Sequence, residues 1–176
     1  GLIGFGRIAR ACARICGAGF GARVVAFDPL VPAEAMAEAG VEKVDFADLL
    51  QSDVISIHVP LTEQTRNLIG AAEFSRMKPG AVIVNTSRGG IIDEVALFDA
   101  LTAGTIAGAG IDVFEAEPPP ADHPLFALPN IVLAPHVAGV TEGSMTGMAL
   151  AVADVIDTAL SGAVPETLLN PEVLAP

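Results

Sequence analysis

The tightest constraint on this chain is its alternation of short, almost unbroken apolar runs with helix-forming segments. The runs Leu2-Ile3-Gly4-Phe5-Gly6, Arg23-Val24-Val25-Ala26-Phe27, Asp53 to Pro60, Ala81-Val82-Ile83-Val84-Asn85, Ile106 to Phe114 and Asn130 to Pro135 read as strands. Between them, Arg7 to about Gly17 reads as an Ala-rich helix ended by Gly17 and Gly19. Pro32 to Ala39 has Pro at its start and Gly40 at its stop, Asp93 caps a helix reaching about Ala103, and Glu142 to about Leu160 is the last long helix. Strands that are apolar at successive positions are buried on both faces, and strands interleaved with helices pair in parallel. The pattern predicts an α/β fold with a doubly wound parallel sheet. Ligands of such sheets bind beyond the carboxyl ends of the strands. At 176 residues, 52% of them apolar, the chain can build one core of this kind, and residues 1–176 read as one domain.

Those strand ends are where the polar residues fall. The first runs into Gly4-Phe5-Gly6-Arg7-Ile8-Ala9, a G-x-G-x-x-A. Its first Gly permits a tight turn, its second lets backbone approach a pyrophosphate, and its small third residue keeps the helix against the sheet. Asp28 ends the second strand about twenty residues on, where a carboxylate grips a ribose 2′-OH and repels a 2′-phosphate. This combination predicts dinucleotide binding, with NAD favoured over NADP; the bland reading of Asp28 is a turn acid before Pro29. Four later strand ends carry His58-Val59-Pro60, Asn85-Thr86-Ser87-Arg88-Gly89, Asp112-Val113-Phe114 and Pro135-His136. A lone Arg is ordinarily a solvated charge and a lone His a satisfied loop residue, but here all four places face one crevice.

Composition removes other classes. A formal charge of −12 repels phosphate backbones and anionic lipid, so neither nucleic acid nor a membrane surface is an expected partner. With no Trp and no Tyr there are no indole or phenol platforms for stacking bases. The uncharged stretch between Asp122 and Glu142 carries Pro124, Pro129, Asn130, Pro135 and His136, which a lipid-facing helix rarely holds. Cys12 and Cys16 are the only cysteines; they fit neither a disulfide framework nor a metal site and read as buried free thiols of a reducing cytoplasm.

The strings GLIGFGRIA, FDP, HVPLTEQT, NTSRGGIIDE, GIDVFEAEP and LPNIVLAPHVAG resemble the D-isomer-specific 2-hydroxyacid dehydrogenase family, which includes phosphoglycerate dehydrogenases and hydroxypyruvate reductases. The resemblance spans nearly the whole chain in the family's order. It implies a Rossmann-type NAD-binding domain and hydride transfer between nicotinamide and a small D-2-hydroxy acid or 2-keto acid. The family's catalytic Arg, Glu and His fall on Arg88, Glu117 and His136. Arg88 then binds the substrate carboxylate and keto oxygen, His136 is the general acid–base, and Glu117 orients and charges it. Gly4, Gly6, Arg7 and Ile8 lie at the pyrophosphate and Asp28 at the adenine ribose. His58, Val59 and Pro60 line the adenine side, with Thr86, Arg88, Asp112, His136 and Gly139 toward the nicotinamide. No metal is implied. Family members also associate as homodimers through this domain.

The family pattern is departed from in two places. Ala9 stands where the third Gly often lies, a tolerated variant. Family members also carry roughly a hundred residues before the Gly loop, forming most of a substrate-binding lobe. The start at Gly1, inside an apolar run and without an initiator Met or signal-like segment, reads as a cut from something longer; the substrate lobe is largely absent and the chain is expected to be inactive alone. Residues 165–176 resemble the segment that returns toward that lobe. An alternative of another class is a non-catalytic, NAD-sensing regulatory module of the co-repressor kind; an intact Arg88, Glu117 and His136 argues against it. His123, in a Pro-rich loop, reads as solvated, and Met145 and Met148 read as packing residues.

Overall fold

The apolar runs lie side by side in one parallel sheet. The structure, a computed structural model, describes residues 1–174. Its strands are β1 (Leu2–Ile3), β2 (Val25–Phe27), β3 (Glu42–Lys43), β4 (Val54–Ile57), β5 (Val82–Asn85), β6 (Gly108–Ile111) and β7 (Ile131–Leu133), in the order β3-β2-β1-β4-β5-β6-β7. The order reverses between β1 and β4, so the expected doubly wound sheet is present and its crevice opens at their carboxyl ends. The helices are α1 (Arg7–Arg14), α2 (Ala33–Ala37), α3 (Phe46–Leu49), α4 (Ala71–Phe74), α5 (Glu94–Thr102) and α6 (Glu142–Leu160). The predicted first helix ends earlier than expected, passing at Ile15–Gly19 into a π-helical turn.

Register explains how the two faces are used. Ile3, Ile57, Asn85, Ile111 and Leu133 share one row across β1, β4, β5, β6 and β7. On this face Ile55, Ile57, Ile83, Leu49, Phe74 and Leu97 are wholly or almost wholly buried, beneath α3, α4 and α5. Successive strand residues point to opposite faces, so Leu2 faces the other way and packs with Phe5, Ala9, Ala26 and Met36 under α1 and α2. Along that second face the row Leu2, Ser56, Val84, Gly110, Val132 runs out to an exposed Val132.

Two compact units divide the chain, Gly1–Ala138 and Gly139–Pro176. The first contains the whole sheet. The second holds α6, which starts at a capping box in which Thr141 Oγ1 accepts from Ser144 N and Ser144 Oγ accepts from Thr141 N. Met145 and Met148 on α6 are about half exposed, so the packing expected of them is not made. Of the tail at 165–176, Pro171–Leu174 form a 3₁₀ turn and the last two residues lie outside the described ones. Among the described residues no helix is long and apolar enough to cross a membrane.

Candidate active site

The glycine loop leaves β1 with Gly4 at φ +90, a backbone state that L side chains rarely adopt. A Cβ there would lie 2.7 Å from the His58 carbonyl oxygen, so β1 and β4 meet at a distance only glycine allows. Gly6 faces open space and caps α1 with no side chain, which leaves the first-turn N–H groups of Arg7 and Ile8 available to an anion. Arg7 and Ile8 are exposed, and Ala9 is fully buried against the sheet as the motif requires.

Asp28 closes this loop from β2. Its Oδ2 accepts from Phe5 N at 2.9 Å and its Oδ1 from Leu30 N at 2.8 Å. The bond to Leu30 is the turn role; the bond to Phe5 ties the acid to the glycine loop. A carboxylate offers about four lone-pair sites, so one remains on each oxygen for a pair of ribose hydroxyls. His58, Val59 and Pro60 follow β4 on the other side of Gly4, and burial pushes the His58 imidazole pKa down. The cradle suits a dinucleotide: Gly4 and Gly6 leave the loop backbone uncovered by side chains, and Asp28 keeps free acceptors, so these are the residues that would meet a pyrophosphate and a ribose.

The second cluster lies where β5, β6 and β7 end. Asn85, almost fully buried, accepts from Ser87 N at 3.0 Å and donates through Nδ2 to the Arg88 carbonyl at 2.9 Å. Ser87 Oγ donates to Ile57 O at 2.6 Å. Asn85 and Ser87 thus set the Arg88 loop, a supporting role their sequence did not disclose, although Asn at a strand end is a frequent turn former. Thr86 and Arg88 are exposed. Gly89 passes so close to the chain at Phe114 that a Cβ would sit 1.9 Å from its carbonyl oxygen.

His136 sits at φ +57, an uncommon state for a non-glycine residue and one that clusters at functional sites. Asp112 stabilises it. Its own carbonyl accepts from His136 N at 2.7 Å, and its carboxylate oxygens accept from Val137 N and Ala138 N, both at 2.8 Å. Asp112 is 4% exposed, so its visible work is to hold the His136 turn, while it also lines the adjoining cleft. The imidazole Nδ1 lies 2.9 Å from Glu117 Oε2. Glu117 Oε1 in turn accepts from Phe114 N at 3.1 Å. The His136 ring, then the Phe114 N–H, with a further contribution from the Arg88 guanidinium, hold the Glu117 carboxyl below the usual carboxylate range. Asp112, Glu117 and His136 border a cleft of about 470 Å³ floored by Phe114, Phe126, Leu133 and Pro135.

Two readings are corrected. His123 is not solvated: its side chain is 12% exposed, bonded through Nε2 to Glu94 at 3.0 Å and packed on Phe114 and Phe126. The Pro-rich loop gave no sign of Glu94 and Phe114, which lie outside it in the sequence. Cys12 and Cys16 are free thiols but only half-buried, with sulfurs 3.9 Å apart, and burial and the neighbouring thiol push the Cys12 pKa up. Gly139 opens the second unit, where its carbonyl accepts from Ser144 Oγ at 2.7 Å. No cluster suited to a metal ion occurs among the described residues.

Residues 1–138 match the family described as D-isomer specific 2-hydroxyacid dehydrogenase, NAD binding domain. The chain belongs to this family. The glyoxylate reductases of Korarchaeum cryptofilum and Thermococcus litoralis are each 46% identical to it over 175 residues, 99% of this chain and 52% of theirs. D-3-phosphoglycerate dehydrogenase of Archaeoglobus fulgidus is 44% identical over 155 residues, 88% of this chain and 29% of that one. Among solved structures, D-lactate dehydrogenase with NAD+ from Lactobacillus jensenii superposes with a TM-score of 0.87 at 33% identity, over 96% of this chain and 54% of that chain. This member of the D-2-hydroxyacid dehydrogenase family is therefore an NAD-binding domain, and it spans about half the length of the glyoxylate reductases it matches.

Proposed function

We propose that the chain is the cofactor half of an NAD-dependent D-2-hydroxyacid dehydrogenase acting on a small 2-keto or 2-hydroxy acid. The observation that carries this is the Glu117–His136 pair at 2.9 Å beside a cleft. Bound NADH supplies a hydride; the rest falls to side chains. A carboxylate on Nδ1 leaves Nε2 as the working nitrogen. When protonated it donates to the keto oxygen during reduction, and when neutral it takes the hydroxyl proton during oxidation. Glu117 fixes the ring and balances its positive charge. Arg88, always charged, can hold a substrate carboxylate through a planar fork.

Substrate turnover is assigned to the longer protein in which this domain works with a second lobe. We also assign homodimerisation and a cytoplasmic location. The half-exposed Met148, Leu150, Val152 and Ile156 on α6 support the first and the free thiols the second. The experiment has two arms. The chain alone should bind NADH saturably, followed by binding heat or cofactor fluorescence. The longer enzyme should reduce glyoxylate, hydroxypyruvate or pyruvate, and His136→Ala should lower turnover by ~10²–10⁴-fold. Saturable NADH binding with no reduction of any 2-keto acid by the longer enzyme would leave a regulatory NAD sensor as the better reading.

A further inference from the structure

A second carboxylate–imidazole pair lies behind the cleft. Glu94, the first residue of α5, is 19% exposed at its side chain and uses both oxygens. Oε1 accepts from Glu115 N at 2.7 Å and Oε2 meets His123 Nε2 at 3.0 Å. His123 Nδ1 accepts from Leu125 N at 3.4 Å, which puts the ring proton on Nε2, where it donates to Glu94. The same ring packs edge-on against Phe114, centroids 5.4 Å apart, and Phe126 closes the cluster at 6.0 Å from Phe114. Neither Glu94 nor His123 lines the cleft that holds Asp112, Glu117 and His136.

Their contacts converge on one turn. Glu94 fixes the amide of residue 115, and His123 fixes the side chain of residue 114. Immediately before these two anchors along the backbone lies the Phe114 N–H that bonds Glu117 Oε1, and Glu117 Oε2 reaches His136. The outer bond from Arg66 to Glu115, at 3.2 Å, is more than half exposed at both ends and adds little. A desolvated carboxylate is expensive to bury unless its acceptors are filled; here both are filled by groups whose positions decide where Glu117 points.

We infer that Glu94 and His123 are a positioning pair for the acid–base dyad, holding the turn Phe114–Glu117 in the conformation that keeps the Glu117 carboxylate on His136 Nδ1. The inference rests on the dyad reading above. It extends the site to residues that never touch substrate or cofactor.

The test follows the Glu117 carboxyl by carbon-detected NMR titration in the 176-residue chain, with His136→Ala as reference. Loss of the His136 bond should raise the Glu117 midpoint. Glu94→Ala should raise it as well, by at least half as much, and Glu94→Gln, which keeps one acceptor, should fall between Glu94→Ala and the unaltered chain. The sign is diagnostic. Removing a nearby negative charge would by itself lower the midpoint of another carboxyl, so a rise reports lost orientation. A purely structural role would lower the melting temperature and leave the titration where it was. Should Glu94→Ala not fold, Glu94→Gln and His123→Gln carry the same measurement. An unchanged or lowered midpoint in folded Glu94 and His123 variants, with His136→Ala raising it, overturns the positioning pair alone. No rise in His136→Ala overturns the dyad itself and the inference with it.

Discussion

Gly89→Ala tests how rigidly the Arg88 loop and the turn Phe114–Glu117 are joined. A Cβ at Gly89 would lie 1.9 Å from the Phe114 carbonyl oxygen, 2.1 Å from its carbon and 2.5 Å from Glu115 N. All three neighbours are backbone atoms, so no flexible side chain can yield. Opening the shortest contact from 1.9 Å to the 3.4 Å of ordinary contact separates the loops by about 1.5 Å. Overpacking typically costs ~1–3 kcal/mol, and a backbone clash this close belongs near the upper end. At about 2–4 °C per kcal/mol for a chain of this size, Tm should fall by about 6–12 °C. Circular dichroism on the isolated chain reads this directly. In the longer enzyme the displacement moves Arg88 relative to His136, and a 1 Å misplacement can cost ~10²-fold in rate. NADH affinity should fall less than turnover, because the glycine loop and Asp28 lie at other strand ends. A Tm within ~2 °C of the unaltered chain, with normal kinetics, would refute the reasoning.

Asp28→Asn keeps one acceptor for the turn but loses the charge. It should weaken NADH by about tenfold or more and narrow the preference over NADPH, read by calorimetric titration with both cofactors; an unchanged preference would reduce Asp28 to its turn role. Glu117, whose folded-state pKa is depressed by its bonds to His136 and Phe114 N, contributes stability that is present above the unfolded-state glutamate value and lost as pH falls through the lowered folded value. Stability curves of Glu117→Gln and the unaltered chain should therefore converge only in that acidic window, and parallel curves there would contradict the pairing.

Much of the fold was legible because its signals are local. Glycine at Gly4 answers a backbone requirement, and Asp93 does cap α5, accepting from Val95 N and Ala96 N. The β3 strand was invisible because Glu42 and Lys43 are polar and become a strand only by pairing with Val25 and Ala26. His123 was misread for the related reason that two of its partners, Glu94 and Phe114, lie outside its own loop. Asp112 could be placed at a strand end, but not its two bonds to the turn after His136. Local composition announces turns and strand ends; it does not announce which distant amide a carboxylate will meet.

The strand order has an engineering consequence. Asp28 follows β2, whereas Glu117 and Arg88 are carried by loops after β6 and β5, with β1 and β4 between. At ~4.8 Å per strand, β2 and β6 stand roughly 19 Å apart. Substitutions separated by more than ~7–10 Å with no shared partners usually act additively. On the proposed roles, coenzyme selectivity at Asp28 and proton chemistry at Glu117 are therefore separable in this domain. Libraries that recode the β2 end for a phosphorylated coenzyme can be recombined freely with libraries at the far edge of the sheet, without re-optimising either.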